Sequence, residues 1–321
     1  MYVHILLQNL TNPTLLFFIL GIVATIAKSD LEIPESVSKF ISLYLLFSIG
    51  FKGGQELAHS TFNVEIIYSL LFALFLSIII PLYTFFILKT RMSISDSGAI
   101  AAAYGSVSAV TFVASVSFLE SQKINYGGHM VAVMALMESP AIIMGVILMK
   151  KFDTSSDNKT TLGHIIKHSF TNSSVLMILG SLIIGLISDS KQAEGIKPFT
   201  TDIFKGFLAI FLLEMGLITA KRFSTFKSKA TFPIIFALVI PLINGCLVAW
   251  VSGFFLHSIG NRFIFSILGA SASYIAVPAA MRLAAPKADP GLYILVALGI
   301  TFPFNISIGM PIYYLLIQHF Q

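Results

Sequence analysis

Seven stretches of 19 to 29 residues contain no charged side chain, and this feature limits the possible folds more than any other. Each stretch is long enough to cross the hydrocarbon core of a bilayer, which takes about 20 apolar residues. Only 11% of the 321 residues are charged, against about 25% in soluble domains. The chain is therefore predicted to be an integral membrane protein. The stretches are Ile5–Ala27, Ile66–Leu88, Ser97–Leu119, Ser169–Ser188, Ala230–Leu256, Phe263–Met281 and Pro290–Gln318.

Three further apolar segments contain one or two charges, at about 38–56, 125–149 and 204–221. With the seven uncharged stretches they make about ten transmembrane spans. The apolar residues are continuous rather than alternating, which favours helices over the strands of a membrane barrel. The predicted fold is an all-α polytopic membrane protein.

The basic residues indicate how these spans are oriented. Loops after odd-numbered spans hold 14 Lys and Arg residues, and loops after even-numbered spans hold four. Cytoplasmic loops carry the excess of positive charge, so the odd loops are predicted to be cytoplasmic and both termini to lie outside. The net charge of +5 comes from this scatter over short loops, and we expect no nucleic-acid partner.

A weak internal repeat divides the chain into two halves. Four pairs of short segments occur in the same order, about 160–167 residues apart. An odd number of spans in each half gives the halves opposite topology, an arrangement typical of secondary transporters. We predict two inverted five-helix repeats, 1–150 and 169–321, joined by a cytoplasmic linker at 151–168. The pairs are Thr11-Asn12 with Thr171-Asn172, Ser48–Phe51 with Glu214–Leu217, Ser106–Val110 with Ser273–Val277, and Glu138–Pro140 with Phe302-Pro303.

Spans 4 and 9 hold equivalent segments rich in Gly, Ala and Ser, Ala101–Thr111 and Gly269–Pro278. Pro278 cannot donate a backbone hydrogen bond, so a helix broken there would expose amide groups that favour anions. Small residues also allow close helix packing, which is the alternative interpretation. The candidate substrate-binding residues are Ser106, Ser108, Thr111, Ser271 and Ser273.

Charged and polar residues within the spans are the second indication of function, because they are costly at membrane depth. Glu138 in span 5 is a candidate for binding Na⁺ or carrying a proton, and Asn305 in span 10 is a candidate polar lining residue that would take part with it in cation coupling. A position near the interface, or a neighbouring partner, would also explain Glu138. Asn305 would equally serve to bridge two helices. Glu214 in span 7 is a weaker candidate.

Motifs for other classes of protein are lacking in the sequence. It has no Walker motif, dinucleotide-binding glycine pattern or GxSxG elbow. His164 and His168 stand four residues apart but have no acidic companion. We expect neither an enzyme nor a bound cofactor.

Several segments together resemble the sodium-dependent bicarbonate transporter superfamily. They are Asn12–Leu15, Ile33–Glu35, Ile49–Gly54, Gly105–Glu120, Pro278–Arg282 and Pro303–Pro311. The resemblance covers essentially all spans. It implies a homotrimeric elevator-type symporter in a bacterial inner membrane, with bicarbonate between broken spans 4 and 9 and Na⁺ as coupling ion nearby. It also implies a PII-like cytoplasmic regulator, although the central loop is short for one.

The site residues partly depart from the family pattern. Five residues differ in side chain from the family pattern: Ala109, Val110, Tyr274, Ala276 and Val277. Each hydroxyl or carboxylate that is lost at these positions removes a ligand for the anion or the cation. The prediction is Na⁺-dependent bicarbonate symport. The alternatives left open are another small anion such as a monocarboxylate, H⁺ coupling, and an anion channel.

Overall fold

The described part of the chain is built from helices and short connections. A computed structural model describes residues 11–60, 63–152, 163, 167, 171, 173–224 and 231–320. Its α-helices are α1 Pro13–Ile26, α2 Glu35–Ala58, α3 Val64–Leu88, α4 Ile94–Gly105, α5 Ala109–Ser121, α6 His129–Phe152, α7 Ser173–Ile187, α8 Ser190–Lys197, α9 Phe204–Ser224, α10 Thr231–Val251, α11 Ile259–Ala270, α12 Ala276–Ala284, α13 Pro290–Ile294, α14 Phe302–Phe304 and α15 Met310–His319. Two π-helical segments, Leu295–Thr301 and Asn305–Gly309, make α13 to α15 one continuous helical segment.

Six helical segments are long and apolar enough to cross a membrane, and three shorter apolar helices accompany them. Many large apolar side chains on these helices are exposed, such as Ile26 at 73% and Ile187 at 75%, which requires an apolar solvent. The chain is therefore an α-helical polytopic membrane protein. The number of ten spans and the inverted repeat remain predictions. The predicted linker 151–168 lies mostly outside the described residues, as do His164, His168 and the first residues of span 1.

Polar side chains at helix starts fix where several helices begin. The Asn63 carboxamide accepts a hydrogen bond from the amide of Ile66 at 3.1 Å, and the Ser93 hydroxyl accepts one from the amide of Asp96 at 3.0 Å. Such caps satisfy amide groups that have no partner within the helix. The limits of α3 and α4 thus follow from local chemistry, together with the apolar runs that come after each cap.

Two helices are interrupted at the centre of the molecule. The first break separates α4 from α5 at residues 106–108, and the second separates α11 from α12 at residues 271–275. Pro278 lies in the first turn of α12, where a missing amide hydrogen costs little, so the helix is broken before the proline. In the segment Ile94–Ser121, 89% of the most apolar stretch is buried, against 39% for α3 and for α10. The first broken helix is therefore central, and α3 and α10 are peripheral.

Helices α1, α2, α7 and α9 form what we call the four-helix group, in which α1 packs on α9 and α2 packs on α7. Glycines allow backbone contact at both pairs. A methyl group added to Gly21 would overlap the backbone of α9, and one added to Gly185 would overlap the carbonyl of Phe51. Gln55 also donates a hydrogen bond to the carbonyl of Ser188 at 2.9 Å. Each pairing joins a helix from the first half of the chain to a helix from the second half.

Helices α3 to α6 and α10 to α15 form the larger group. Long-range hydrogen bonds connect its early and late parts. Asn261 donates to Glu65 at 3.2 Å, and the amide of Asp289 donates to Asp96 at 2.7 Å. The two groups meet where α2 lies along α6 and where α9 lies along the last helical segment.

Candidate functional site

The two helix breaks contact each other directly. The amide of Ser273 donates to the carbonyl of Ala103 at 2.8 Å and to that of Ser106 at 3.1 Å. In the other direction, the amide of Ser108 donates to the hydroxyl of Ser271 at 3.1 Å. One amide of each break is thus satisfied by the other broken helix, since buried backbone groups at membrane depth require hydrogen-bond partners.

A small cavity of about 20 Å³ lies between these breaks and the helices α2, α6 and α7. Its polar lining consists of Ser42, Ser108, Glu138, Ser174, Ser273 and Tyr274. The rest of the wall is apolar and includes Leu45, Leu46, Val107, Val110 and Val113. The cavity therefore combines one carboxylate and several hydroxyls with an extended apolar surface.

The half-helices α5 and α12 both begin at this cavity. Ala109 and Val110 in the first turn of α5 line it, as does Ala276 at the start of α12. First-turn amides have no partner within their own helix, and a helix N-terminus carries partial positive charge. Two such N-termini at one cavity give an electrostatic environment suited to a small anion.

Two of the five predicted substrate-binding residues line the cavity, and the other three lie outside its lining. Ser108 and Ser273 line the cavity, and the Ser108 hydroxyl also caps α5 by accepting from the amide of Thr111 at 3.2 Å. Ser106, Thr111 and Ser271 are buried and lie outside the cavity lining. Among the described residues the Ser106 hydroxyl has no hydrogen-bond partner.

Ser271 has a different environment from Ser273, although the two are only two residues apart. Its hydroxyl donates to the carbonyl of Leu268 at 2.9 Å and accepts from the amide of Ser108. A serine has one proton to donate. The Ser271 hydroxyl is therefore committed to holding the two breaks together.

Glu138 on α6 faces the cavity with its side chain buried, and the residue is 7% exposed. It forms no hydrogen bond or ion pair within the described ranges. Burial of a carboxylate without a partner is costly, so a bound cation or a proton would stabilise it. Glu214 on α9 is also buried, with one carboxylate oxygen unpartnered among the described residues, but it lies outside the cavity lining.

Asn305 does not line the cavity that contains Glu138. Its amide group donates to the carbonyl of Ala270 at 2.8 Å, and its oxygen accepts from the hydroxyl of Tyr313 at 3.2 Å. These contacts hold the carboxyl end of α11 against the last helical segment. The geometry corresponds to the helix-bridging alternative for this residue.

A wider vestibule of about 510 Å³ adjoins the cavity. The two share Ser42, Ser174, Tyr274 and Ile275 in their linings. The vestibule also contains three charged side chains, Glu35, Lys39 and Arg282. It gives the cavity a polar route toward the end of the molecule where α2 begins.

The sequence did not single out Ser42 and Ser174, although both line the cavity. One signal could have found Ser42. Glu35, Ser38 and Ser42 follow a spacing of three and four residues, which places them on one face of α2. Such a polar stripe on an otherwise apolar span indicates a face turned toward water or a ligand. Ser174 has no comparable signal.

Comparison with known proteins identifies the family of this chain. No curated protein matches the chain. The sequence model of the Na⁺-dependent bicarbonate transporter superfamily matches residues 13–318, from the first turn of α1 to the last turn of α15. With so much of the chain matched, the protein belongs to the Na⁺-dependent bicarbonate transporter superfamily.

Proposed function

We propose that this protein is a secondary active transporter that couples the uptake of bicarbonate to Na⁺. The observation that carries the proposal is the shared cavity, in which the unpartnered Glu138 carboxylate and the N-termini of α5 and α12 face one space. The half-helix N-termini with Ser108 and Ser273 would bind the anion. Glu138 with nearby hydroxyls would bind the cation, since Na⁺ prefers oxygen ligands. A cation and an anion in one space stabilise each other, which is the basis of the coupling.

We infer that transport proceeds by an elevator-type movement of the larger group along the four-helix group. The reciprocal pairing of α1 with α9 and of α2 with α7 supports two inverted repeats, because a two-fold axis in the membrane plane would exchange these pairs. The cavity lies between the two groups, as alternating access requires. With the orientation predicted from the basic residues, the vestibule opens toward the cytoplasm. The homotrimer, the inner bacterial membrane and the PII-like partner remain expectations from the family.

A second candidate substrate is a small monocarboxylate, and the apolar wall of the cavity favours it. Bicarbonate offers hydrogen-bonding atoms on all sides, whereas the side chains of Val110, Val113 and Leu45 offer none. A short alkyl group would bury apolar surface against this wall, which stabilises by about 25 cal/mol per Å². The carboxylate of such a substrate would use the same helix N-termini.

Uptake of radiolabelled bicarbonate into proteoliposomes, with and without an inward Na⁺ gradient, tests the proposal. We expect Na⁺-dependent accumulation above equilibrium. Acetate transport in place of bicarbonate would select the second candidate. Flux that only equilibrates the anion, whatever the Na⁺ gradient, would indicate a channel and overturn the coupling. Accumulation driven by a pH gradient alone would replace Na⁺ by H⁺.

A further inference from the structure

Glu120, in the last turn of α5, forms ion pairs with two lysines. One carboxylate oxygen lies 3.6 Å from the ammonium nitrogen of Lys52 on α2, and the other lies 3.1 Å from that of Lys205 on α9. Glu56 on α2 adds a second acidic group near Lys52. The three side chains of the ion pairs are between 30% and 61% exposed, so they lie at an aqueous edge of the structure.

These ion pairs join the two groups of helices. Glu120 belongs to the larger group, and both lysines belong to the four-helix group. Many other polar contacts stay within one group, such as Asn261 with Glu65 in the larger group. A long, uncharged contact also crosses between the groups, where the hydroxyl of Thr219 on α9 donates to the carbonyl of Leu298 at 3.4 Å. The Lys197–Glu194 pair, at 2.9 Å, lies within the single helix α8. A sliding movement between the groups would leave such internal contacts intact and would separate Glu120 from its lysines.

The ion pairs lie at the opposite end of α2 from the vestibule. Lys39 lines the vestibule, and Lys52 follows it by 13 residues, which is about 20 Å along a helix. Helix α5 begins at the cavity with Ala109 and ends near Glu120. The same helix thus contributes its N-terminus to the candidate anion site and its carboxyl end to the ion pairs.

We propose that Glu120 is a latch that holds the protein in the state with the vestibule open. The proposal rests on the alternating-access movement proposed above. Breaking both ion pairs separates α5 from α2 and α9 at the edge opposite the vestibule, and the larger group is then free to move. Partly exposed ion pairs are weak, so the latch shifts the balance between the two states by about two- to tenfold. It is also sensitive to salt, since exposed charges are screened over about 8 Å at physiological ionic strength.

A reporter cysteine in the vestibule tests the latch. Leu43 lines the vestibule, and Cys246 is the single native cysteine, so Leu43→Cys in a Cys246→Ala background gives one reactive thiol there. Its reaction rate with a membrane-impermeant thiol reagent is measured in proteoliposomes with Na⁺ and bicarbonate, so that both states are visited. We expect Glu120→Gln to lower the rate by up to about tenfold, because the rate follows the fraction of molecules with the vestibule open. The matched control Glu194→Gln removes the same charge from a pair within one helix, and its rate should equal that of the parent.

Charge exchange separates the latch from a loss of folding. The double variant Glu120→Lys with Lys205→Glu rebuilds one pair and should restore part of the rate, and Lys205→Gln alone should lower it. Rates for Glu120→Gln and Lys205→Gln that equal the parent rate would overturn the latch. The proposed movement fails separately if the parent rate is the same with and without Na⁺ and bicarbonate, because the vestibule then does not close during transport.

Discussion

The amide of Ser108 donates a hydrogen bond to the hydroxyl of Ser271, with 3.1 Å between the nitrogen and the oxygen. The bond joins the break in one helix to the break in another, 163 residues along the chain. Both residues are buried, so the bond is shielded from bulk solvent. The position of Ser108 in the cavity therefore depends on Ser271.

Ser271→Ala is expected to destabilise the protein by about 1–3 kcal/mol, because it leaves the buried amide of Ser108 without an acceptor. Thermal unfolding in detergent, followed by loss of monodisperse protein, measures the effect. Ser266→Ala is the control. Its hydroxyl is equally buried but donates only to the carbonyl of Arg262 within α11, so its removal leaves no amide unpaired. Equal losses in the two variants would contradict the structural role of Ser271.

Ser273→Ala is expected to weaken anion affinity by about 10- to 100-fold, since hydrogen bonds to charged groups contribute about 1.5–3 kcal/mol. Ser108→Ala should act in the same direction and also loses a helix cap, which costs about 1 kcal/mol of stability. The KM for anion uptake at saturating Na⁺ is the measurement. Ser115→Ala, which removes a buried hydroxyl of α5 outside the cavity, should leave the KM unchanged. An unchanged KM in both site variants would refute the assignment.

Glu138→Gln is expected to abolish the dependence of transport on Na⁺, because it removes the carboxylate of the cavity and keeps its size. Glu138→Asp keeps the charge and should retain Na⁺ dependence with a higher half-saturating concentration. The measurement is initial uptake as a function of Na⁺ concentration. Glu214→Gln is the comparison, since Glu214 is buried outside the cavity lining. If Glu138→Gln and the parent respond equally to Na⁺, the cation binds elsewhere.

Tyr274→Phe is expected to raise the stability of the empty protein and to weaken its transport of the anion. Tyr274 lines the cavity, and its buried hydroxyl, which faces Ser108, has no hydrogen bond of good geometry among the described residues. An unpaired buried hydroxyl costs about 1–3 kcal/mol, so its removal should stabilise the empty protein. If the hydroxyl serves the anion, the KM should rise in the same variant. A rise in KM together with a lower unfolding temperature would mean that the residue acts through packing instead.

Gly185→Ala and Gly180→Ala form a matched pair on α7. A methyl group at Gly185 would overlap the backbone of α2, whereas one at Gly180 would have nothing within 4 Å. Overpacking costs about 1–3 kcal/mol, while Ala in an open helix interior gains about 0.5–1 kcal/mol over Gly. The unfolding temperature in detergent should fall for the first variant and stay or rise for the second. A fall of equal size in both would exclude close α2–α7 packing.

The sequence predicts the helical segments well, because an apolar run and a polar cap act locally. The predicted segment Ile66–Leu88 corresponds to α3, Val64–Leu88, and the predicted 204–221 corresponds to α9, Phe204–Ser224. The short helix α8 was missed, since five of its eight residues are polar or charged and it carries no signal of membrane depth. Neither the number of spans nor the repeat follows from helix limits alone.

The cavity itself is only partly predictable from sequence. Ser271 and Ser273 are equivalent as residue types, and the path of a non-helical segment decides which hydroxyl reaches the cavity. Ser42 comes from another helix, and its approach to Glu138 depends on how α2 packs against α6. The ion pairs of Glu120 likewise join three helices that are distant in sequence. Local patterns cannot specify such contacts, because these arise from the packing of whole helices.

The glycine contacts within the four-helix group decide where this protein can deform. At Gly21 with Gly216, and at Gly54 with Gly185, main chain meets main chain with no side chain between them to change rotamer. No side chain at these contacts can change its rotamer to absorb a displacement, so bending one helix also bends its partner. The larger group meets this frame at one backbone contact of the same kind, where Gly128 lies against Gly53 and Leu57 of α2, and there the side chain of Val131 also takes part. Sliding between the groups must therefore pass this contact, whereas the cavity on the same boundary is lined largely by side chains.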